Sequence, residues 1–359
     1  MTVARSLQLQ SWPTFARTAS MSTLFPIKAR LALGLCCVLA ACSGANTSPA
    51  TQAANTADTR PPPAPENIET DLHLARFGDR AAPPLVFLHG GPGGNSYLFE
   101  ATAGEPLGRS FHVLSYDRRG TGRSPDGTAA DFSFARATED LHQLVSALPS
   151  PPVLVGFSFG GAVALHYLEA HPDAVQAAVL VGAPISFPRA LDNIASRCRA
   201  VYQAKNDTEN LGYLDQLAAL PPGSPQHVAF TFMHAIGCGL YVPKAQTDAA
   251  QALYRAAMAK DERRMISNAR QEPTQGFIAN ENYALLDMSA LVERHKQRLF
   301  AIVGAEDSLV SQTDIDFLRA TLAPGRVQVI EGAAHNVFVD QQPAFLDAMR
   351  SSVAGRPVP

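Results

Sequence analysis

From residue 70 onward the apolar and polar positions fall into two alternating patterns. "PPLVFLHG", "FHVLSYD", "PVLVGFS", "VQAAVLVGAP", "RLFAIVGAED" and "GRVQVIEGAAH" are short, nearly continuous apolar runs, and they predict strands. "TDLHLARFG" (Thr70–Gly78) predicts an outer strand. "FARATEDLHQLVSAL" repeats its apolar residues at helical spacing, with acids near its start, and a last helix is predicted from about Pro343 to Val353. Apolar strands alternating with helices predict a mostly parallel sheet with helices on both faces.

The alternation breaks between about Ser186 and Lys296, where the pattern is helical and irregular. An unstructured loop of that length is foreign to a compact domain, so residues 186–296 read as a helical cap inserted over the strand ends. Residues 68–185 and 297–359 then form the two parts of the core. Active groups of parallel sheets gather at the carboxyl ends of strands. His89–Gly94, Asp117, Ser158, Asp307 and His335 all fall at such ends.

The first 67 residues follow neither pattern. Lys28 and Arg30 precede an apolar run, Leu31–Ala41, and then Cys42, which is the form of a secretory signal. The run is about half the ~20 residues of a spanning helix. "LAAC" (Leu39–Cys42) resembles the lipobox of bacterial lipoproteins. That resemblance implies a lipidated Cys42 as the new N-terminus. Ser43 in place of aspartate implies sorting to the outer membrane, facing the periplasm. Plain secretion is the alternative. Met21 is read as the start of the signal, within a leader over 1–42. Residues 43–67 are rich in Ala, Thr, Ser and Pro and read as a flexible tether.

Composition narrows the function. A chain of 359 residues, 46% hydrophobic, buries a sizeable core. A formal charge of -3 without a long basic run excludes nucleic acid as a partner. Five cysteines without a CxxC pair, and scattered histidines, argue against a zinc site.

The candidate chemistry starts at "GFSFGG". Gly156 and Gly160 bracket Ser158 as G-x-S-x-G between a buried strand and a helix. Such a turn exposes the hydroxyl and aims helix amides at a developing anion. Serine needs a base, and His335 in "EGAAHNVF" follows the last predicted strand. Asp307 in "VGAEDSLV" ends the preceding strand and is the orienting carboxylate, with Glu306 as its rival. The order Ser158, Asp307, His335 is that of the α/β-hydrolase triad. "HGGPGG" (His89–Gly94) supplies backbone amides, and the oxyanion hole is assigned to the N–H groups of Gly91 and Phe159. "DRRGTGRS" (Asp117–Ser124) reads as a support loop in which Arg118 and Arg119 form structural ion pairs, with binding of an anion as the alternative.

Together these residues look like the α/β-hydrolase superfamily. "HGGPGG", "DRRGTGRS" and "GFSFGG" more narrowly resemble the proline iminopeptidase group of serine aminopeptidases, over roughly Thr70 to Val353. The resemblance implies an α/β-hydrolase fold with a helical cap and release of an N-terminal residue from short peptides. It implies no metal or cofactor. Those enzymes usually carry G-G-S-W-G, where this chain has Phe157 and Phe159. They hold the free amine with cap glutamates, and "FIANENYALL" (Phe277–Leu286) places Glu281 in that role. An ester or other acyl hydrolase, acting on a small ester, is the alternative, and a non-catalytic binding protein on the same fold is a third reading. Cys198 and Cys238 both fall in the cap, and an oxidising compartment makes a disulfide between them reasonable. The oligomeric state is not readable.

Overall fold

The computed structural model describes residues 68–261 and 270–353. Met21, Cys42 and the tether expected over 43–67 lie outside the described residues.

Seven strands form one sheet: β1 (Leu74–Phe77), β2 (Pro84–Leu88), β3 (His112–Tyr116), β4 (Val153–Phe157), β5 (Ala177–Val181), β6 (Leu299–Gly304) and β7 (Val327–Ile330). Their order is β1-β3-β2-β4-β5-β6-β7, and every neighbouring pair is parallel except β1 with β3. The chain therefore moves outward from β2 to β3 and then returns to the other side of β2. Crevices form where the strand order reverses in this way. Leu85 pairs with Val153 and Leu88 with Gly156, so β2 and β4 end level with each other at that crevice.

The helices are α1 (Phe134–Ser146), α2 (Phe159–Ala170), α3 (Phe187–Ala204), α4 (Thr208–Ala218), α5 (Pro225–Gly237), α6 (Asp248–Lys260), α7 (Gln271–Glu281), α8 (Ser289–His295), α9 (Gln312–Thr321) and α10 (Gln342–Val353). A helical stretch over Tyr97–Gly108 follows β2. The two-residue period of the strands sorts their side chains into two layers. Val86, Leu88, Leu114, Tyr116 and Leu154 pack against α1 and α2. Leu85, Phe87, Val113, Val153 and Val155 pack against Phe99, Leu107 and the α10 residues Phe345 and Met349.

The insertion after β5 has a small core of its own, built from Ile194, Cys198 and Tyr202 of α3, Leu214 and Leu217 of α4, and Ala235 of α5. A disulfide joins Cys198 on α3 to Cys238, just past α5, with the Cα atoms 5.6 Å apart. Val292 of α8 is buried in the same core layer as α2, together with Phe187 and Leu191 of α3 and Phe277 of α7, so the segment expected as the cap packs directly on the core. Among the described residues no helix is long and apolar enough to cross a membrane.

Candidate active site

Ser158 links β4 directly to α2 and sits at φ 53°, ψ -122°. A non-glycine residue in that region carries roughly 1–3 kcal/mol of strain and persists only where its surroundings fix it. Its N–H donates to the Val181 carbonyl at 2.9 Å, which ties the elbow to the end of β5. The flanking glycines are sterically required. A Cβ on Gly156 would stand 2.7 Å from the Gly160 carbonyl oxygen, and one on Gly160 would stand 2.1 Å from that of Leu88. The two phenylalanines of the motif serve the core. Phe157 meets Phe87 and Phe338, and Phe159 meets Phe134, Phe277 and Tyr283.

Asp307 follows β6 and His335 follows β7, and the His335 Nδ1 lies 3.0 Å from Asp307 Oδ2. Both are buried, at 3% and 4% exposure. Asp307 Oδ1 also accepts from the Leu309 N–H at 2.8 Å, so the carboxylate is held at both oxygens. Glu306 turns the other way and accepts from the Lys244 N–H at 2.7 Å. Gly182, at φ +52°, makes room for the pair, since a Cβ there would stand 2.9 Å from Asp307 Oδ2 and 3.3 Å from His335 Nδ1. Rings from two sides bound the imidazole: Phe157 at 4.8 Å and Tyr241 of the cap, edge-on, at 5.4 Å.

The glycine loop after β2 packs on the elbow. A Cβ on Gly90 would stand 2.9 Å from the Ser158 Cβ. Arg118 is 5% exposed and, among the described residues, makes no ion pair, contrary to the sequence expectation. Its guanidinium donates to the carbonyls of His89 (2.5 Å), Gly90 (3.0 Å) and Pro92 (3.1 Å). The peptide between Gly90 and Gly91 is trans, so a carbonyl turned toward Arg118 turns the Gly91 N–H the opposite way. Among the described residues no acceptor takes that N–H or the Phe159 N–H, the first of α2. Arg118 also lies over the Phe159 ring, 5.3 Å from its centre, so one cation touches both sides of this amide pair. Burial lowers its pKa to about 10, which leaves it charged at neutral pH.

His89 is locked beneath the loop. Nδ1 lies 2.8 Å from the Gly90 carbonyl and donates to it, while Nε2 accepts the Arg118 N–H at 3.0 Å. Burial, with Arg118 beside it, holds its pKa down to about 3, so it stays neutral. The ion pairs of the "DRRGTGRS" loop belong to its other arginines. Arg119 pairs with Asp71 and Asp140, and Arg123 with Asp117 and Glu100. Among the described residues no group of three or more His, Cys, Asp or Glu side chains is placed to hold a metal.

Comparison with known proteins agrees with this fold. The alpha/beta hydrolase fold family matches residues 83–342, well over half of the chain. The chain belongs to the alpha/beta hydrolase family. It is 21% identical over 283 residues to the proline iminopeptidase PfmaB of Pestalotiopsis fici, covering 76% of this chain and 92% of that protein. A crystal structure of a proline iminopeptidase-related protein from Thermus thermophilus aligns with a TM-score of 0.57 at 22% identity, over 79% of this chain and 93% of the other. An esterase from Exiguobacterium antarcticum aligns with a TM-score of 0.53 at 20% identity, over 78% and 94%. At these identities the two structures speak for the fold.

This hydrolase departs from the expected amine anchor. Glu281 is the last residue of α7; it is exposed, and its Oε1 accepts from the Phe134 N–H at 3.0 Å. The carboxylate thus caps the first turn of α1, whose leading amides have no partner within the helix. It is not a buried group facing Ser158. Glu281→Ala is therefore expected to leave kcat/KM on a free-amine substrate unchanged. It should lower stability by about 0.5–1 kcal/mol, read from urea unfolding, the lower part of the range for lost caps because the site is exposed.

Behind His335 the hydrolase carries a network absent from the sequence expectations. Asp340 Oδ2 accepts from the Ala334 N–H at 3.0 Å, and Oδ1 lies 3.2 Å from the Tyr254 hydroxyl of α6. Asn336 donates to the same hydroxyl at 3.1 Å. One cap tyrosine thus braces both flanks of His335. Burial raises the Asp340 pKa to about 6 despite the bonds from Ala334 and Tyr254. The folded state then binds this proton more tightly than the unfolded chain. Its contribution to stability is present at low pH and is lost as pH rises through about 6. Asp340→Asn cannot ionise. Thermal melts should show its Tm relative to the parent rising by several degrees between about pH 4.5 and pH 7.5. A constant difference would mean that Asp340 titrates as an ordinary carboxyl.

Proposed function

We propose that the protein is a serine hydrolase that works through an acyl-enzyme on Ser158. The observation that carries this reading is the buried His335–Asp307 bond of 3.0 Å against Gly182, next to the Val181 carbonyl that holds Ser158 at φ 53°. In this mechanism His335 takes the Ser158 proton as Oγ attacks a carbonyl carbon. The oxyanion that forms meets the N–H groups of Gly91 and Phe159. His335 returns the proton to the departing alcohol or amine. Water, deprotonated by the same imidazole, then releases the acid and frees Ser158.

For the substrate class we favour a small uncharged ester or acyl compound. The placement of Glu281 on α1, and the phenylalanine and tyrosine rings around Ser158 and His335, support this choice. The aminopeptidase reading rests on similarity to a proline iminopeptidase along 92% of that protein's length. Side-by-side turnover of a short-chain nitrophenyl ester and a proline arylamide tests the two, with Ser158→Ala as the blank. Ester turnover is expected to be faster by at least about tenfold, the effect of roughly 1.4 kcal/mol in transition-state binding. Faster arylamide turnover would restore the aminopeptidase and require an amine anchor other than Glu281.

We also place the protein outside the cytoplasm, anchored through lipid on Cys42. The signal-like segment before Cys42 and the cap disulfide support this reading, because disulfides persist in oxidising compartments. Mass spectrometry of the N-terminus of membrane-extracted protein tests it. A free, unmodified Cys42 or an intact leader would refute the anchor.

A further inference from the structure

Helix α5 has the sequence PQHVAFTFMHAIG, without a single aspartate, glutamate, lysine or arginine. Its inner face is satisfied. Val228, Thr231 and Ala235 are buried, and Cys238 beyond its end is bonded to α3. That covalent tie fixes the rotation of the helix, so its outer residues cannot turn inward. Beyond Gln226 in its first turn, those outer residues are apolar. Phe230 is 45% exposed, Met233 64% and Ile236 71%. Leu285, 49% exposed, extends the strip at the other end, since it packs against Gly223 just before α5. A cap helix with one charge-free outer face and large side chains in water marks an interaction surface.

We propose that the outer face of α5 lies on the lipid bilayer to which the chain is tethered. The proposal rests on the lipid-anchor reading of Cys42. Two physical arguments select a bilayer over a second copy. A 13-residue helix is ~20 Å long and presents a strip ~10 Å wide, so a partner would cover on the order of 200 Å². Stable protein interfaces cover about 800 Å² on each side. A strip of this size suits shallow burial at the lipid boundary, where apolar side chains enter and no polar partner is needed. The tether supplies the rest. Residues 43–67, fully extended, reach at most about 80–90 Å, so an anchored Cys42 keeps the body near the bilayer. Within that reach a weak surface contact acts intramolecularly.

The test is amide hydrogen exchange of the full chain and of its Cys42→Ala variant. Each is measured with and without phosphatidylethanolamine–phosphatidylglycerol vesicles, with mass spectrometry of the N-terminus alongside. Peptides covering Pro225–Gly237 are expected to exchange at least about threefold slower on vesicles in the lipidated chain. The double variant Met233→Asp, Ile236→Asp should abolish that slowing while turnover of a soluble ester stays unchanged. Slowing in the Cys42→Ala chain as well, or in a full chain found to carry no lipid, would support the docking face and, in the latter case, discard the anchor. Lipidated protein that floats with vesicles while α5 exchanges at its free rate would keep the anchor and overturn the docking. Slowing that follows protein concentration without vesicles would also overturn it, in favour of a second copy.

Discussion

Ser158→Ala is expected to lower kcat on any acyl substrate by at least about 10⁴-fold and to abolish labelling by a fluorophosphonate probe. The size follows from what the substitution removes and what it leaves. The hydroxyl is the only atom lost, and without it no acyl-enzyme forms. The Gly91 and Phe159 amides, the Asp307–His335 bond and the elbow backbone all remain, so bound substrate still meets a preorganised anion site. Residual turnover by direct attack of water should therefore stay above the uncatalysed rate by a factor on the order of 10³. The fold should survive. Alanine adopts the same positive φ at a comparable cost, and the Ser158 N–H bond to Val181 is a backbone bond. Steady-state turnover and probe labelling, with a melting curve as the folding control, read all three expectations. Turnover within tenfold of the parent, in protein that melts normally, would remove Ser158 from the chemistry. It would also reopen the possibility that the fold serves binding alone.

Local pattern explains which parts of this site were legible beforehand. The strands are continuous apolar runs because both faces of the sheet are covered, and such runs stand out in any sequence. Ser158 is legible because the elbow needs glycine at two flanking positions, and the clashes a Cβ would meet there explain the motif. Asp307 is separable from Glu306 because successive side chains leave a strand end on opposite sides. The cap wrote its contacts less clearly. Glu281 sits in a segment similar to an amine-binding one, but its partner is a helix terminus 147 residues earlier, which no local pattern reports. Tyr254 and Asp340 meet across 86 residues. An aspartate in the apolar run "NVFVD" was the one available hint that this position needed a buried partner. Gly182 had a comparable hint, a glycine at the end of β5, where a side chain would collide with the Asp307–His335 pair.

Arg118 is the clearest case of a role hidden in a familiar motif, and its removal carries the second large expectation. Arg118→Met is expected to lower kcat by about 10²–10³-fold with little change in KM, comparable to the loss of one oxyanion donor. The guanidinium does not reach the reacting atoms through any contact seen here. It acts on the loop by holding three carbonyls on one side, which keeps the Gly91 N–H on the other. Methionine fills a similar volume but donates nothing. The His89 and Pro92 carbonyls then lose this donor in a buried setting, at about 1–3 kcal/mol each, while the Gly90 carbonyl keeps only the bond from His89 Nδ1. With one of two donors left, the Gly90–Gly91 peptide is held less firmly and can rotate, and the φ of +109° at Gly91 is a conformation that only glycine takes readily. Substrate would still bind through the rings of the cap and core, so KM is largely spared, while the tetrahedral oxyanion loses a donor it uses only in the transition state. Arg118→Lys separates charge from geometry. A single ammonium keeps the cation over Phe159 but cannot span carbonyls of His89, Gly90 and Pro92 in one planar fork, so it should recover only a small part of kcat. Steady-state kinetics of both variants at a temperature where each remains folded would decide the point. If kcat of Arg118→Met stays within about threefold of the parent, the loop keeps its shape without the clamp, and the orientation of Gly91 comes from the His89 bond to the Gly90 carbonyl and the glycine turn.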